Sequence, residues 1–297
     1  MWKEKFIDYL RYERNCSSLT EIAYFNDITQ FEEFIKKENI NEVNFSLIDN
    51  EDIRIWISSL VERGMKHSSV NRKLSSLKSF FRFLKKKEVV KINPAENVKG
   101  PRITKNLPVF VTHKDMTRVL DDDDNYTNDF SGIRDRLIIE IFYVTGIRRA
   151  ELIGIKDNDI DYNNCTLRIT GKRNKQRIIP FSDETKEKIV LYTNERDIII
   201  KNKSPFLFVK EDGGKMTPNL VYNIINSRLN KISTLSKKSP HVLRHSFATE
   251  MLNNGAEINA VKEILGHESL SSTEIYTHVT FEEMKKTYHN AHPRAKK

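Results

Sequence analysis

Three prolines, Pro94, Pro101 and Pro108, fall in one short basic stretch, and neither a regular helix nor a central strand runs through such a segment. The 297-residue chain must therefore break there. The stretch Asn93-Pro94-Ala95 through Gly100-Pro101-Arg102 to Leu107-Pro108 reads as a linker. It sets an amino-terminal domain at residues 1–96, a linker at 97–108 and a second domain at 109–297, a division that also suits the length.

Ahead of the linker the periodicity is helical. Four helices are predicted, from Trp2 to about Arg14, Ser17 to Lys37, Asn50 to Arg63 and His67 to Lys87. In the last, Val70, Leu74, Leu77, Phe81 and Leu84 form an apolar stripe that marks its buried side. Beside it Asn71, Ser75, Lys78, Arg82 and Lys85 make a polar, increasingly basic stripe, with Arg72 next to it. By pattern alone this is an ordinary solvated face. Hydroxyl, amide and cationic side chains nevertheless suit phosphates and base edges, so it is also a candidate DNA-contacting surface.

Beyond the linker, Ile133, Leu137, Ile138 and Ile141 give a helix that Gly146 ends, which puts Arg148 on a turn between helices with Glu151 able to orient it. A guanidinium held there can grip phosphate oxygens with two hydrogen bonds. Thr166–Thr170 and Gln176–Pro180 alternate as the strands of a hairpin whose tip, Gly171-Lys172-Arg173-Asn174-Lys175, is basic, and Phe206–Val209 is a further candidate strand. The expected class is mainly α (α+β), with a small antiparallel sheet in the second domain.

The final third carries the chemistry. Ser239 is a candidate N-cap and Pro240 a first-turn residue, so His241 and Arg244 fall at i and i+3 on one face and can reach one phosphate. Leu243, Phe247 and Met251 recur on a neighbouring stripe that buries this helix, and Asn254-Gly255 ends it. A second helix, about Ile258 to Leu265, stops at Gly266 and presents His267. Ser271-Ser272 offers an N-cap for a third, with Tyr276 about one turn in as a candidate nucleophile.

Taken singly, each residue has a plainer reading as a packing or surface side chain. His241 and His245 at i,i+4 also have zinc-helix spacing, but Val242 stands where the metalloprotease motif has Glu, and no third ligand is evident. His245 is better read as packing beside the site. A tyrosine hydroxyl has an ordinary pKa near 10 and needs a base or a positive environment, which this cluster supplies.

The formal charge of +9, from 50 Lys and Arg against 41 Asp and Glu, favours polyanionic partners. Asp121-Asp122-Asp123-Asp124 is too short for an acidic tail and reads as a solvated helix end or loop. Cys16 and Cys165, far apart and without a secretory leader, point to a reduced cytoplasmic protein. No stretch has the length and apolarity of a membrane span, so no membrane association is expected.

Together Thr145-Gly-Ile-Arg-Arg-Ala-Glu-Leu152, Gly171-Lys172, His241-Val-Leu-Arg-His-Ser-Phe-Ala-Thr249, Leu265-Gly-His267 and Ile275-Tyr-Thr-His278 resemble the tyrosine recombinase/integrase family, most of all its Xer-type members. The resemblance covers essentially the whole chain and includes the tail His292-Pro293-Arg294-Ala295. It implies an amino-terminal four-helix, SAM-like core-binding domain and a mixed catalytic domain. It makes Arg148 and Arg244 the phosphate-binding arginines, Lys172 the acid for the leaving 5′ oxygen, His241 and His267 the site histidines and Tyr276 the nucleophile. Arg173 stands where many relatives have glycine, which leaves Lys175 as an alternative acid.

By the same resemblance the partner is a double-stranded DNA recombination site. Four protomers, identical or of two kinds, would act on two sites through a Holliday junction, with the C-terminal segment packing on a neighbour. A second recombinase and a regulatory DNA translocase are possible partners, and no cofactor is implied. Chromosome dimer resolution is the expected role. An integrase or invertase of a mobile or phase-variable element, a type IB topoisomerase and an idle DNA-binding architectural protein are the alternatives.

Overall fold

The computed structural model describes residues 2–38, 43–103, 109–171, 174–201, 204–230, 232, 238–266 and 281–295. The chain divides into two units, Met1–Asn106 and Leu107–Lys297.

The first unit is helical: α1 (Trp2–Asp8), a π-helical turn (Tyr9–Glu13), α2 (Ser18–Glu38), α3 (Asn50–Glu62) and α4 (His67–Lys86). The first predicted helix is thus α-helical only to Asp8. Beyond it the winding widens, and Arg14 N–H donates to the Tyr9 carbonyl five residues back. Asp49 caps α3, accepting from the Glu51 and Asp52 amides while Asp52 accepts from the Asp49 amide. The expected apolar stripe of α4 is buried against Phe6, Phe31 and Trp56. Beneath α4, Asp27 is 1% exposed and accepts from Lys73 at 2.8 Å, Ser76 at 2.7 Å and Arg72 at 2.9 Å. That buried carboxylate ties α2 to α4.

The second unit is built around α6 (Phe130–Thr145), which is apolar on nearly every side and buried almost throughout. It packs against α8 (Asp183–Ile199) and α10 (Pro240–Asn253). Among the described residues, α5 (His113–Asp121), α7 (Arg149–Gly154), α9 (Pro218–Leu229), α11 (Ile258–Leu265) and α12 (Phe281–Ala291) are the other α-helices of this unit. A three-stranded antiparallel sheet runs β1 (Ile160–Asp161), β2 (Thr166–Thr170), β3 (Gln176–Pro180), with Leu167 opposite Ile179 and Ile169 opposite Arg177.

Two expectations need correction. Phe206–Val209 is no strand of this sheet, making only isolated bridges from Phe206 to Lys156 and from Val209 to Lys215. Its backbone finds other partners: Leu207 N–H donates to the Ile155 carbonyl, and the Tyr192 hydroxyl donates to the Leu207 carbonyl while accepting from Val209 N–H. Those partners allow Leu207, Phe208 and Val209 to be fully buried without a neighbouring strand. Ser239 precedes α10 but its hydroxyl makes no cap bond, so Pro240 alone marks that start. The acidic run is a largely exposed helix end, as expected, and it also has partners: Asp121 pairs with Arg294, Asp123 with Arg136, and Asp122 caps the turn that follows.

Arg294 belongs to a tail seated on its own chain. It lies 3.1 Å from Glu140 of α6, and the ring of His292 stacks between Tyr288 and Phe247. His292 Nε2–H donates to the Tyr143 carbonyl and Nδ1 accepts from Arg294 N–H, both at 3.2 Å, a pattern only the neutral ring makes. Burial drives its pKa down from 6.5 to about 3.

Because the folded value is depressed, the contribution of His292 is complete above about pH 6.5 and is lost as pH falls from there towards 3, with about 2 kcal/mol gone by pH 5. His292→Phe, which keeps a ring but does not titrate, should lose correspondingly less stability between pH 7 and pH 5 in urea melts. An equal loss in both proteins would remove His292 from the pH dependence.

Candidate active site

The left-handed turn at Gly146, φ +59°, carries the chain from α6 into α7, and a side chain there would lie 2.6 Å from Phe247 and 2.8 Å from Leu265. The turn sets Arg148 just before α7. Its amide donates to Glu151 Oε2 at 2.8 Å, closing the helix start, and its guanidinium donates to Glu151 Oε1 at 2.9 Å and to the Gly266 carbonyl at 2.8 Å.

Arg244, one turn into α10, donates to the Gly146 carbonyl at 2.7 Å and to the Leu265 carbonyl at 2.8 Å. Arg177 of β3 donates to the Ile264 carbonyl at 2.7 Å and grips both oxygens of Glu151 at 3.1 and 2.9 Å. Three consecutive carbonyls at the end of α11 are therefore each held by a different arginine. Helix C-termini leave such groups unpaired and carry partial negative charge, so cations are suited to them.

The electrostatics are unbalanced. Three guanidiniums surround one carboxylate, Glu151, whose side chain is 5% exposed. Burial pushes the Glu151 pKa up, but hydrogen bonds from Arg177 and from the Arg148 backbone outweigh it and leave the pKa below its ordinary value. Burial, and then the neighbouring Arg148, lower the Arg244 pKa from 12.5 to about 10. Arg244 stays charged at neutral pH under repulsion that an added anion would relieve. The side chain of Arg148 is 41% exposed, so the cluster is open to such an anion.

Of the residues singled out in the sequence, the structure brings Arg148, Glu151 and Arg244 together. His241 lies exposed on the first turn of α10, three residues before Arg244, and His245 is half-buried. Lys172, Arg173, His267 and Tyr276 lie outside the described residues; Lys172 follows Gly171, and His267 follows Gly266. The backbone carbonyl of Lys175 accepts from Gly171 N–H at 2.7 Å, which closes the hairpin loop. Among the described residues no group of three or more His, Cys, Asp or Glu could hold a metal ion.

On α4, Ser75 and Arg82 are exposed and Lys78 is half-buried. Asn71 and Arg72 are already engaged: the Asn71 amide donates to the Pro101 carbonyl at 2.9 Å, and Arg72 binds Asp27 through both terminal nitrogens. Sequence reasoning passed over Arg177. Its signal is its face: two residues before buried Ile179, it sits on the inward side of β3, where a cation requires a partner. Among the described residues no helix is long and apolar enough to cross a membrane.

Comparison with known proteins bears on this geometry. Residues 109–283 match the model of the phage integrase family, and residues 4–88 match the phage integrase N-terminal SAM-like domain. Tyrosine recombinase XerC of Bacillus subtilis is 36% identical over 294 residues, covering 98% of this chain and 95% of that protein. XerC of Bacillus licheniformis is 38% identical over 296 residues, with 98% and 96% covered. The crystal structure of XerH site-specific recombinase bound to difH substrate before cleavage superposes with a TM-score of 0.70 at 25% identity, covering 96% of this chain and 83% of that one. A transposon integrase in complex with transposon right end DNA, at 18% identity and a TM-score of 0.72 over 96% of this chain and 97% of that one, shares the fold.

The turn at Gly146 is the hinge of this arrangement. Gly146→Ala should cost roughly 2–5 kcal/mol, from a left-handed non-glycine residue plus overpacking against Phe247 and Leu265. A urea midpoint equal to that of the wild type would show that the contact is easily relieved.

Proposed function

The chain belongs to the phage integrase family and is an Xer-like site-specific recombinase that cuts and rejoins DNA, and we propose that it does so through Tyr276. The observation that carries this is the pair of guanidiniums, Arg148 and Arg244, held on consecutive carbonyls at the helix end immediately before His267 in the sequence. A phosphodiester under attack gains negative charge on its non-bridging oxygens, so fixed guanidiniums bind the transition state better than the ground state. Arg148 and Arg244 are assigned to those oxygens.

In the proposed step the Tyr276 oxygen bonds to phosphorus as the bond to the 5′ oxygen breaks. The tyrosine proton passes to a base of the site, for which His241 and His267 are the candidates, and Lys172 gives a proton to the leaving 5′ oxygen. The products are a 3′-phosphotyrosine and a free 5′ hydroxyl. A 5′ hydroxyl from the exchanging strand reverses the step. One phosphodiester is traded for another, so rejoining draws on no external energy source, and the proposal invokes no cofactor.

The proposal extends to assembly. Double-stranded recombination sites are the partner, held by both domains, with Ser75, Lys78 and Arg82 on the DNA-facing side of α4. Four protomers on two sites, alone or with a second recombinase, would pass through a Holliday junction. The C-terminal segment would bridge neighbours, which requires it to leave the seat it occupies on its own α6 and α10. Chromosome dimer resolution in the cytoplasm, under a DNA translocase, is the role most in keeping with XerC relatives.

Two experiments test the chemistry. Tagged wild-type protein and Tyr276→Phe are added to fragmented genomic DNA in an extract of the cells of origin, denatured, and the protein-bound strands sequenced. Adducts at one or few loci from wild type, with none from Tyr276→Phe despite retained DNA binding, are expected; adducts from the variant would remove Tyr276 as nucleophile. Lys172→Ala should slow cleavage of a normal 5′ oxygen roughly 100-fold while barely affecting a 5′ bridging sulfur, which leaves unprotonated. Equal losses would assign the acid elsewhere, with Lys175 next.

A further inference from the structure

Arg177 has no role in the chemistry above, yet it is the best-connected side chain at the site. Its two terminal nitrogens hold both oxygens of Glu151, and Nε holds the Ile264 carbonyl. Glu151 in turn holds Arg148 through both backbone and side chain. The Arg177 side chain is only 13% exposed, against 41% for Arg148.

Two glycines pack on this pair. A Cβ at Gly171 would lie 3.3 Å from Glu151 Oε1 and 3.7 Å from Arg177 Nη1, while one at Gly266 would lie 3.1 Å from Arg177 Nη1 and 3.2 Å from its Cζ. Gly171 immediately precedes Lys172, and Gly266 immediately precedes His267. The residues immediately before the assigned acid and one assigned histidine therefore both lie against one buried ion pair.

We propose that Arg177 is a positioning residue for strand cleavage: by clamping Glu151 and the end of α11 together, it fixes Arg148, Gly171 and Gly266 in one frame, and so the chain from which Lys172 and His267 follow. It acts through these groups and does not touch the DNA. The inference rests on the recombinase reading above. Misplacing reacting groups by about 1 Å costs on the order of 100-fold in rate, which is the scale on which such a clamp acts. Lysine is a poor substitute, since one ammonium cannot hold two carboxylate oxygens and a carbonyl in a planar fork.

The test measures single-turnover cleavage of a nicked duplex carrying a locus recovered with the wild-type protein, at saturating DNA, together with affinity for the same duplex. Arg177→Gln should bind as wild type does and cleave roughly 10-fold to 100-fold more slowly. The double variant Arg177→Gln with Glu151→Gln should be no slower than the slower single variant, because both act through one unit. Wild-type cleavage by Arg177→Gln, multiplying losses in the double variant, or a fall in affinity that accounts for the rate would each overturn the inference. Should Arg177→Gln fail to fold, Arg177→Lys carries the test, with a loss of roughly 10-fold expected and a wild-type rate overturning the clamp. Absence of any adduct from wild-type protein would instead overturn the recombinase chemistry, and this inference with it.

Discussion

The end of α11 is the joint on which the catalytic unit depends. Ile264, Leu265 and Gly266 expose carbonyls that the helix itself leaves unpaired, and Arg177, Arg244 and Arg148 each take one. These arginines come from β3, from α10 and from the turn after α6, so one helix terminus gathers three separate parts of the chain. Glu151 is the counterion that lets Arg148 and Arg177 approach each other. Removing one buried partner of such a network strands the others without compensation, so the arrangement is kept or lost as a unit.

The same joint makes the site chemically useful. Arginines engaged at one edge by carbonyls and a carboxylate are preorganised and retain further N–H groups for an incoming anion. The single carboxylate leaves the cluster short of negative charge, and repulsion from Arg148 adds to burial in lowering the Arg244 pKa. A phosphate supplies what is missing. Stability and reactivity therefore draw on the same residues, and this explains why a chain otherwise held by two apolar cores keeps so many charged groups partly buried here.

Much of this was legible in the sequence. Helices with a clear apolar period, the hairpin around Gly171, and the stops at Gly146 and Gly266 all follow from local rules, and Arg148, Glu151 and Arg244 were identified from their motifs. The remainder depends on tertiary partners. Phe206–Val209 looks like a strand because it is apolar and bounded, but the Tyr192 hydroxyl and the Ile155 carbonyl serve its backbone. Arg72 reads as a free cation until Asp27, 45 residues away, is found to hold it. Arg177 was passed over because a cation in a basic hairpin is usually solvated, and only the inward face of β3 distinguishes it from its neighbours. In each case the deciding partner is distant in sequence.

The most direct test is a crystal structure of Tyr276→Phe bound to its recombination site. We predict non-bridging oxygens of the scissile phosphate about 3 Å from the guanidiniums of Arg148 and Arg244, with those arginines still holding the Gly266 and Leu265 carbonyls and Arg177 still on Glu151. A phosphate seated away from this cluster, or arginines that abandon the end of α11 to reach the DNA, would contradict the view that one helix terminus both organises the fold and builds the site.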